Sequence, residues 1–141
     1  MPEILGERAF DSAPGIHVAL IAQPLIFDIE ALLRDGTPIE FQARTPTVEL
    51  ATCIKSLSYR QRLRDQDLVD VYYLLKVVEA HGPEQVGGWR LNQPATATRL
   101  DSQRVFVGIQ ESLNRRSSRV PEDIDREEFV ALISRWVARP E

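Results

Sequence analysis

The sequence predicts an α+β fold, a small antiparallel sheet with a hairpin followed by about four helices. Three observations carry this. Asp35-Gly36 separates two runs in which apolar residues alternate with polar ones, and both turn residues tolerate positive φ. Beyond Thr45 the apolar period changes from two to that of a helix. Strand signals come first and helix signals afterwards, the order of an α+β chain rather than a doubly wound one.

The elements follow in chain order. Residues 1–15 are mixed, with a turn signal at Ala13-Pro14-Gly15, and IHVALIAQ at 16–23 reads as a short apolar strand. In the first hairpin arm Leu25, Phe27, Ile29, Ala31 and Leu33 share one face; in the second, Ile39, Phe41 and Ala43 alternate with Glu40, Gln42 and Arg44. Such alternation predicts a sheet with one packed face and one wet face. Thr45-Pro46 reads as an N-cap followed by proline in the first helical position. Val48, Ala51, Ile54 and Leu57 then recur at helical spacing. Residues 60–66 admit either a loop or a helical continuation. The helix signal is clearest over 67–81, with Leu68, Val71, Leu75 and Val78 in one stripe and Gly82-Pro83 as its stop. A long loop is expected over 83–98, a helix from Asp101 to about Arg115, and a last helix opened by the capping-box form Asp125-Arg126-Glu127-Glu128. The whole reads as one domain, 1–141: a strand and hairpin region at 1–45, a helical region at 46–82, and a loop with the C-terminal helices at 83–141.

Composition narrows the classes of function. The chain of 141 residues is 43% hydrophobic, enough to bury a core. Its formal charge of −4 gives no global pull toward nucleic acid or anionic membrane. No apolar run approaches the roughly 20 residues that span a bilayer, and MPEILGERAF lacks the apolar stretch of a signal peptide. Cys53 is the single cysteine, so no internal disulfide forms and a reducing cytoplasm is the expected compartment. Cys53 with His17 and His81 is too small a set for a usual structural zinc site.

The stretch from Thr47 to Leu75 carries a lysine on a helix (Lys55), an arginine-rich connector (Arg60, Arg62, Arg64), and Asp67-x-x-Asp70 opening a helix that runs to Leu74-Leu75. This combination resembles the last motif of AbiEii-type nucleotidyltransferases, the toxins of type IV toxin–antitoxin pairs. The likeness spans roughly residues 16–80. Two departures stand out. Gln66 occupies the position before Asp67 where the family has Arg or Lys. The family's opening Gly-Gly or Gly-Ser turn with an Asp-x-Asp strand is not found; the nearest segment is Gly15-Ile16 followed by Asp28-Ile29-Glu30, with Ile16 in place of a small residue. Alternatively, Asp28 or Glu30 lies on the later strand where the superfamily carries its third acid. On that reading the first ~80–100 residues of a complete enzyme are absent or encoded elsewhere.

The resemblance implies transfer of a nucleotide from an NTP to an RNA end, such as tRNA, or to a protein acceptor. It implies Mg²⁺ or Mn²⁺ as cofactor, with an antitoxin or an upstream catalytic half as partner. Lys55, Asp67 and Asp70 are then the catalytic candidates, Arg60, Arg62 and Arg64 the substrate-binding ones, and Asp28 and Glu30 the metal ligands. Each has a plainer reading. Asp28 and Glu30 suit the wet side of a hairpin, and the arginines suit a solvated connector that pairs with Asp65 and Asp67. Asp67 and Asp70 suit a helix start, one capping and the other pairing with an arginine. With the catalytic opening not found, the chain is expected to be incomplete or inactive alone. The alternative is a non-catalytic accessory or protein-interaction domain. A small nucleic-acid-binding protein is disfavoured by the net charge.

Overall fold

The computed structural model describes residues 14–141 in full and, of the preceding segment, the backbone of two short strands. These are β1 (Pro2–Leu5) and β2 (Arg8–Asp11), paired antiparallel within the segment read from sequence as mixed. Of the expected Ala13-Pro14-Gly15 turn, Pro14 and Gly15 are turn residues and Ala13 lies outside the described residues. The segment expected as a strand at 16–23 is instead a six-residue helix, α1 (Ile16–Ile21), with Gly15 as its N-cap at φ 80°. Its apolar composition does not distinguish a strand from a short helix. Left-handed Gly15 and the stop at Pro24 leave room for little more than one turn.

β3 (Leu25–Leu32) and β4 (Pro38–Thr45) form the expected hairpin. Gly36 takes φ 85°, its N–H bonds to Leu33 O at 2.9 Å, and Asp35 Oδ1 accepts the Thr37 N–H at 2.9 Å. The register sets Phe27 opposite Ala43, Ile29 opposite Phe41 and Ala31 opposite Ile39. The apolar face is therefore the one that the alternation predicts. Its packing is not: Phe27 is 50% and Phe41 49% exposed. Among the described residues no helix packs broadly on the hairpin, and the helices satisfy their apolar stripes on one another. The hairpin meets the helical body at its base, where Leu25 approaches Gly87.

Four helices follow, namely α2 (Val48–Arg62), α3 (Asp65–Gln85), α4 (Ala97–Asn114) and α5 (Arg126–Trp136). The chain is thus α+β. Thr47, not Thr45, caps α2: its Oγ1 accepts the Leu50 N–H at 3.3 Å. α4 begins four residues before the expected Asp101, and its N-cap Thr96 makes no side-chain cap bond. Gly82 breaks α3 with φ 78°, as the Gly-Pro pair predicts, and a short turn follows through Gln85. Asp125 caps α5 through the Glu128 N–H at 2.9 Å.

The core lies between α2, α3, α4 and α5, around Leu57, Val71, Leu75, Phe106, Ile109 and Phe129, all buried. Small side chains let α2 and α4 approach closely. Ser56 and Ser102 are wholly buried and share a hydrogen bond of 2.7 Å. Their hydroxyls satisfy each other, which removes the cost of burying them. Arg126 fastens α4 to α5, donating to the carbonyls of Leu113, Arg115 and Ser118 at 2.7, 2.8 and 2.5 Å. Carbonyls at a helix C-terminus lack intrahelical donors, so a guanidinium there meets both unpaired acceptors and the negative end of the dipole.

Candidate functional site

α2 and α3 run antiparallel through a tight reversal. Leu63 adopts left-handed φ 52° to end α2, and Arg64 leads directly into α3. The stretch left open in the sequence is thus mostly helical. The reversal brings the lysine to both aspartates. Lys55 Nζ lies 2.7 Å from Asp70 Oδ2 and 3.6 Å from Asp67 Oδ1. Arg62 joins from the last turn of α2, its Nη2 3.3 Å from Asp67 Oδ1 and 3.2 Å from Oδ2. The Oδ2 approach makes no hydrogen bond, and that oxygen is buried without a partner.

The four charges are unequally placed. The Asp67 side chain is 5% exposed, that of Lys55 39% and that of Arg62 45%. Asp67 does not cap α3, and Asp70 pairs with lysine rather than arginine. Gln66 Nε2 also donates to Asp70 at 2.9 Å, so the glutamine that departs from the family pattern supports the same carboxylate. Asp70 is held below the usual carboxylate value. Partial burial pushes it up, and the hydrogen bonds from Lys55 and Gln66 with the lysine charge outweigh that. Lys55 is raised, first by its hydrogen bond to Asp70 and then by the charges of both aspartates, against desolvation. Two cations facing two anions make a neutral, rigid cluster, and Lys55 is not free to meet a phosphate without giving up Asp70.

Arg60 and Arg64 stand apart from this cluster, exposed at either side of the reversal, and neither is in an ion pair among the described residues. Asp28 and Glu30 lie on the polar face of the hairpin. The register sets Glu30 opposite Glu40 and Asp28 opposite Gln42, whose Nε2 donates to Asp28 Oδ1 at 2.9 Å. Three carboxylates thus share a face around an open concavity. Among the described residues, no three His, Cys, Asp or Glu side chains converge closely enough to hold a metal ion.

Sequence reasoning missed Glu49. It is 3% exposed in the first turn of α2 and accepts from three donors at once. Oε1 takes Arg99 Nε at 2.7 Å, and Oε2 takes the backbone N–H groups of Arg90 and Leu91, the latter at 2.9 Å. Thr47 places it there by setting the start of α2. The signal available was an acid at a helix N-terminus, which is too common to single out. Gln103, also missed, donates to Leu91 O at 2.9 Å and Gln93 O at 2.8 Å from inside the core. Together they fix the loop after α3, expected only as a long loop. Tyr72 packs on Phe129 and its hydroxyl bonds to Glu128, and Trp89 bonds to Trp136 O at 2.8 Å, so these aromatics serve packing.

Comparison with protein-family models, with curated proteins and with solved structures finds no match to this chain. No helix among the described residues is long and apolar enough to cross a membrane.

Proposed function

We propose that the chain is a nucleotidyltransferase-like protein, built to act on an NTP and an RNA or protein acceptor, which transfers no nucleotide by itself. The observation that supports it is the meeting of Lys55 with Asp67 and Asp70, three separated motif residues gathered at one point. The helix opened by Gly15, followed by the strand that bears Asp28 and Glu30, adds to the likeness. Activity from this chain alone is not part of the reading. Divalent ions would shield the triphosphate and activate the acceptor hydroxyl, but the hairpin carboxylates do not form an ion site as they stand. Lys55 supplies a positive charge, Asp70 orients it, and Asp67 with Arg62 braces the helix pair behind it.

The test incubates the purified chain with each labelled NTP, magnesium or manganese, and bulk tRNA. No incorporation is expected. Binding of NTP is expected, and Lys55→Ala should weaken it about fivefold or more, the loss of one charge-assisted contact. Binding that ignores Lys55 would defeat the reading. Incorporation abolished by Asp28→Ala would show instead that the Gly15 to Glu30 segment is a compact catalytic motif.

A second reading, a protein-interaction domain, draws on the uncovered apolar surface. Leu20 is 78% and Ile21 84% exposed, besides Phe27 and Phe41. Apolar side chains gathered at a surface mark contact sites. This reading stands if NTP binding is absent.

A further inference from the structure

The loop after α3 and the start of α4 enclose two adjoining clefts that no motif in the sequence points to. One, of about 200 Å³, is lined by Thr47, Glu49, Gly87, Gly88, Trp89, Arg90 and Arg99 among others. The other, of about 280 Å³, lies between Arg90, Gln93, Pro94, Thr96 and Arg99. Both arginines line both clefts.

We propose that these clefts form a binding site for a small phosphate-bearing ligand, with Arg90 and Arg99 as its two cationic forks. The Lys55 cluster has no part in it, and the inference does not depend on the nucleotidyltransferase reading.

The argument starts from what holds each arginine. Glu49 grips Arg99 through Nε alone at 2.7 Å. Among the described residues, the Nη groups of Arg99 and the whole guanidinium of Arg90 have no hydrogen-bond partner. Arg99 is therefore fixed in direction while its outer donors stay available. A guanidinium held this way loses little freedom on binding, and its planar fork matches a phosphate edge. Charge points the same way. Among the described residues Glu49 is the only acid in the lining, and its two oxygens are taken up by Arg99 and the backbone of Arg90 and Leu91. Two cations against one satisfied carboxylate leave the clefts positive in a chain whose net charge is −4.

The walls are rigid. Leu91 is wholly buried, its N–H held by Glu49 and its carbonyl by Gln103 and by the Ala138 N–H at 2.7 Å. Gln103 also holds Gln93 O at 2.8 Å. The backbone that carries Arg90 is thus tied at Trp89, Leu91 and Gln93. Gly88, at φ 97° with open space where a Cβ would stand, keeps the rim of the first cleft low. Preorganisation of this kind lowers the cost of ordering a site around an anion. Each cleft alone is below the roughly 300 Å³ at which pockets for drug-sized ligands begin, and has room for a phosphate group.

The experiment titrates the intact chain with inorganic pyrophosphate at constant ionic strength and follows backbone amide shifts. Saturable shifts at Arg90, Gln93, Thr96 and Arg99 are expected. Arg90→Ala should weaken binding roughly tenfold, the loss of a charge-assisted contact, and Arg90→Lys should restore it in part. Arg90 is exposed and its side chain holds no partner among the described residues, so its removal is expected to leave the fold intact. Arg99→Lys is the companion, since truncation to alanine would strand buried Glu49. Arg116→Ala and Arg119→Ala, exposed arginines outside the lining of both clefts, serve as controls and should bind as the wild type does. A short RNA strand titrated in parallel distinguishes free phosphates from a nucleic-acid backbone as the source. Shifts spread over all exposed arginines, no saturation, or unchanged binding in Arg90→Ala would overturn the proposal.

Discussion

Lys55 Nζ lies 2.7 Å from Asp70 Oδ2, and this contact fastens α2 to α3 across the Leu63 reversal. Asp70 is lowered from 3.8 and Lys55 raised from 10.5. The stabilisation is therefore complete between those two values. It is lost as acid takes the pH down through the lowered carboxyl value, and again as alkali takes it up through the raised lysine value. Asp70→Asn should cost about 0.5–1 kcal/mol at neutral pH, the range of a partly exposed pair. Urea unfolding of both proteins from about pH 5 downward should show the gap closing. A gap independent of pH would mean that the pair contributes no charge interaction.

Glu49 offers a sharper contrast. Removing one partner of a buried ion pair strands the other and frees two backbone donors. Glu49→Ala should thus cost about 3–5 kcal/mol in urea unfolding. Glu49→Gln keeps an acceptor for the Leu91 N–H and should cost less. Equal losses in the two variants would show that shape rather than charge holds the loop.

What the sequence conveyed follows the range of each interaction. The hairpin was legible because Asp35-Gly36 and the alternation are local signals. α5 was legible because Asp125 caps it within one turn. The segment of α1 reads as a strand because IHVALI is short, apolar apart from His17, and lacks a period. The Lys55, Asp67 and Asp70 group was legible as a spacing. Pairing of the connector arginines with Asp67 was legible as well, and Arg62 makes it from the last turn of α2; the part played by Gln66 was not. Glu49 was invisible because its partners lie 41 to 50 residues away. The bare face of the hairpin was missed because alternation tells which residues share a face, not whether anything covers it.

Gly87 and Gly88 should respond differently to alanine. A Cβ at Gly87 would stand 2.9 Å from Thr47 Cγ2 and 3.1 Å from Leu25 Cδ2, at φ 90°. At Gly88, φ is 97° but the space is open. Both changes strain the backbone, and only the first also collides. Gly87→Ala should cost clearly more than about 1 kcal/mol and Gly88→Ala less than Gly87→Ala, by thermal or urea unfolding. The reverse order would contradict the close approach of the hairpin base to this loop.

Cys53 should be chemically silent. It is wholly buried, and desolvation pushes its thiol up to about 12. Reaction with a disulfide reagent at about pH 8 should proceed only as fast as the chain opens, and at once in urea, because the thiolate is the reactive form. Fast labelling of the native protein would place the thiol at a surface.

The hairpin and the helical core should separate in mutational cost. Phe27→Ser and Phe41→Ser remove exposed side chains and should change stability by no more than about 0.5 kcal/mol. Phe129→Ala empties a wholly buried site and should cost about 3–5 kcal/mol. Dye binding to apolar surface should fall in the first two variants. Large losses of stability there would mean that the hairpin face is covered.

The two tryptophans, Trp89 and Trp136, stack edge to face with ring centroids 6.0 Å apart. Both belong to the helical body, at the junction of the loop after α3 with the end of α5. Intrinsic fluorescence therefore reports on that junction and is blind to β3 and β4. A single smooth melting curve from this signal would describe the helices alone, while the β3–β4 hairpin, which meets the body near Leu25, opens and recloses unseen beneath it. An optical label at the Asp35-Gly36 turn would hear that second, quieter transition.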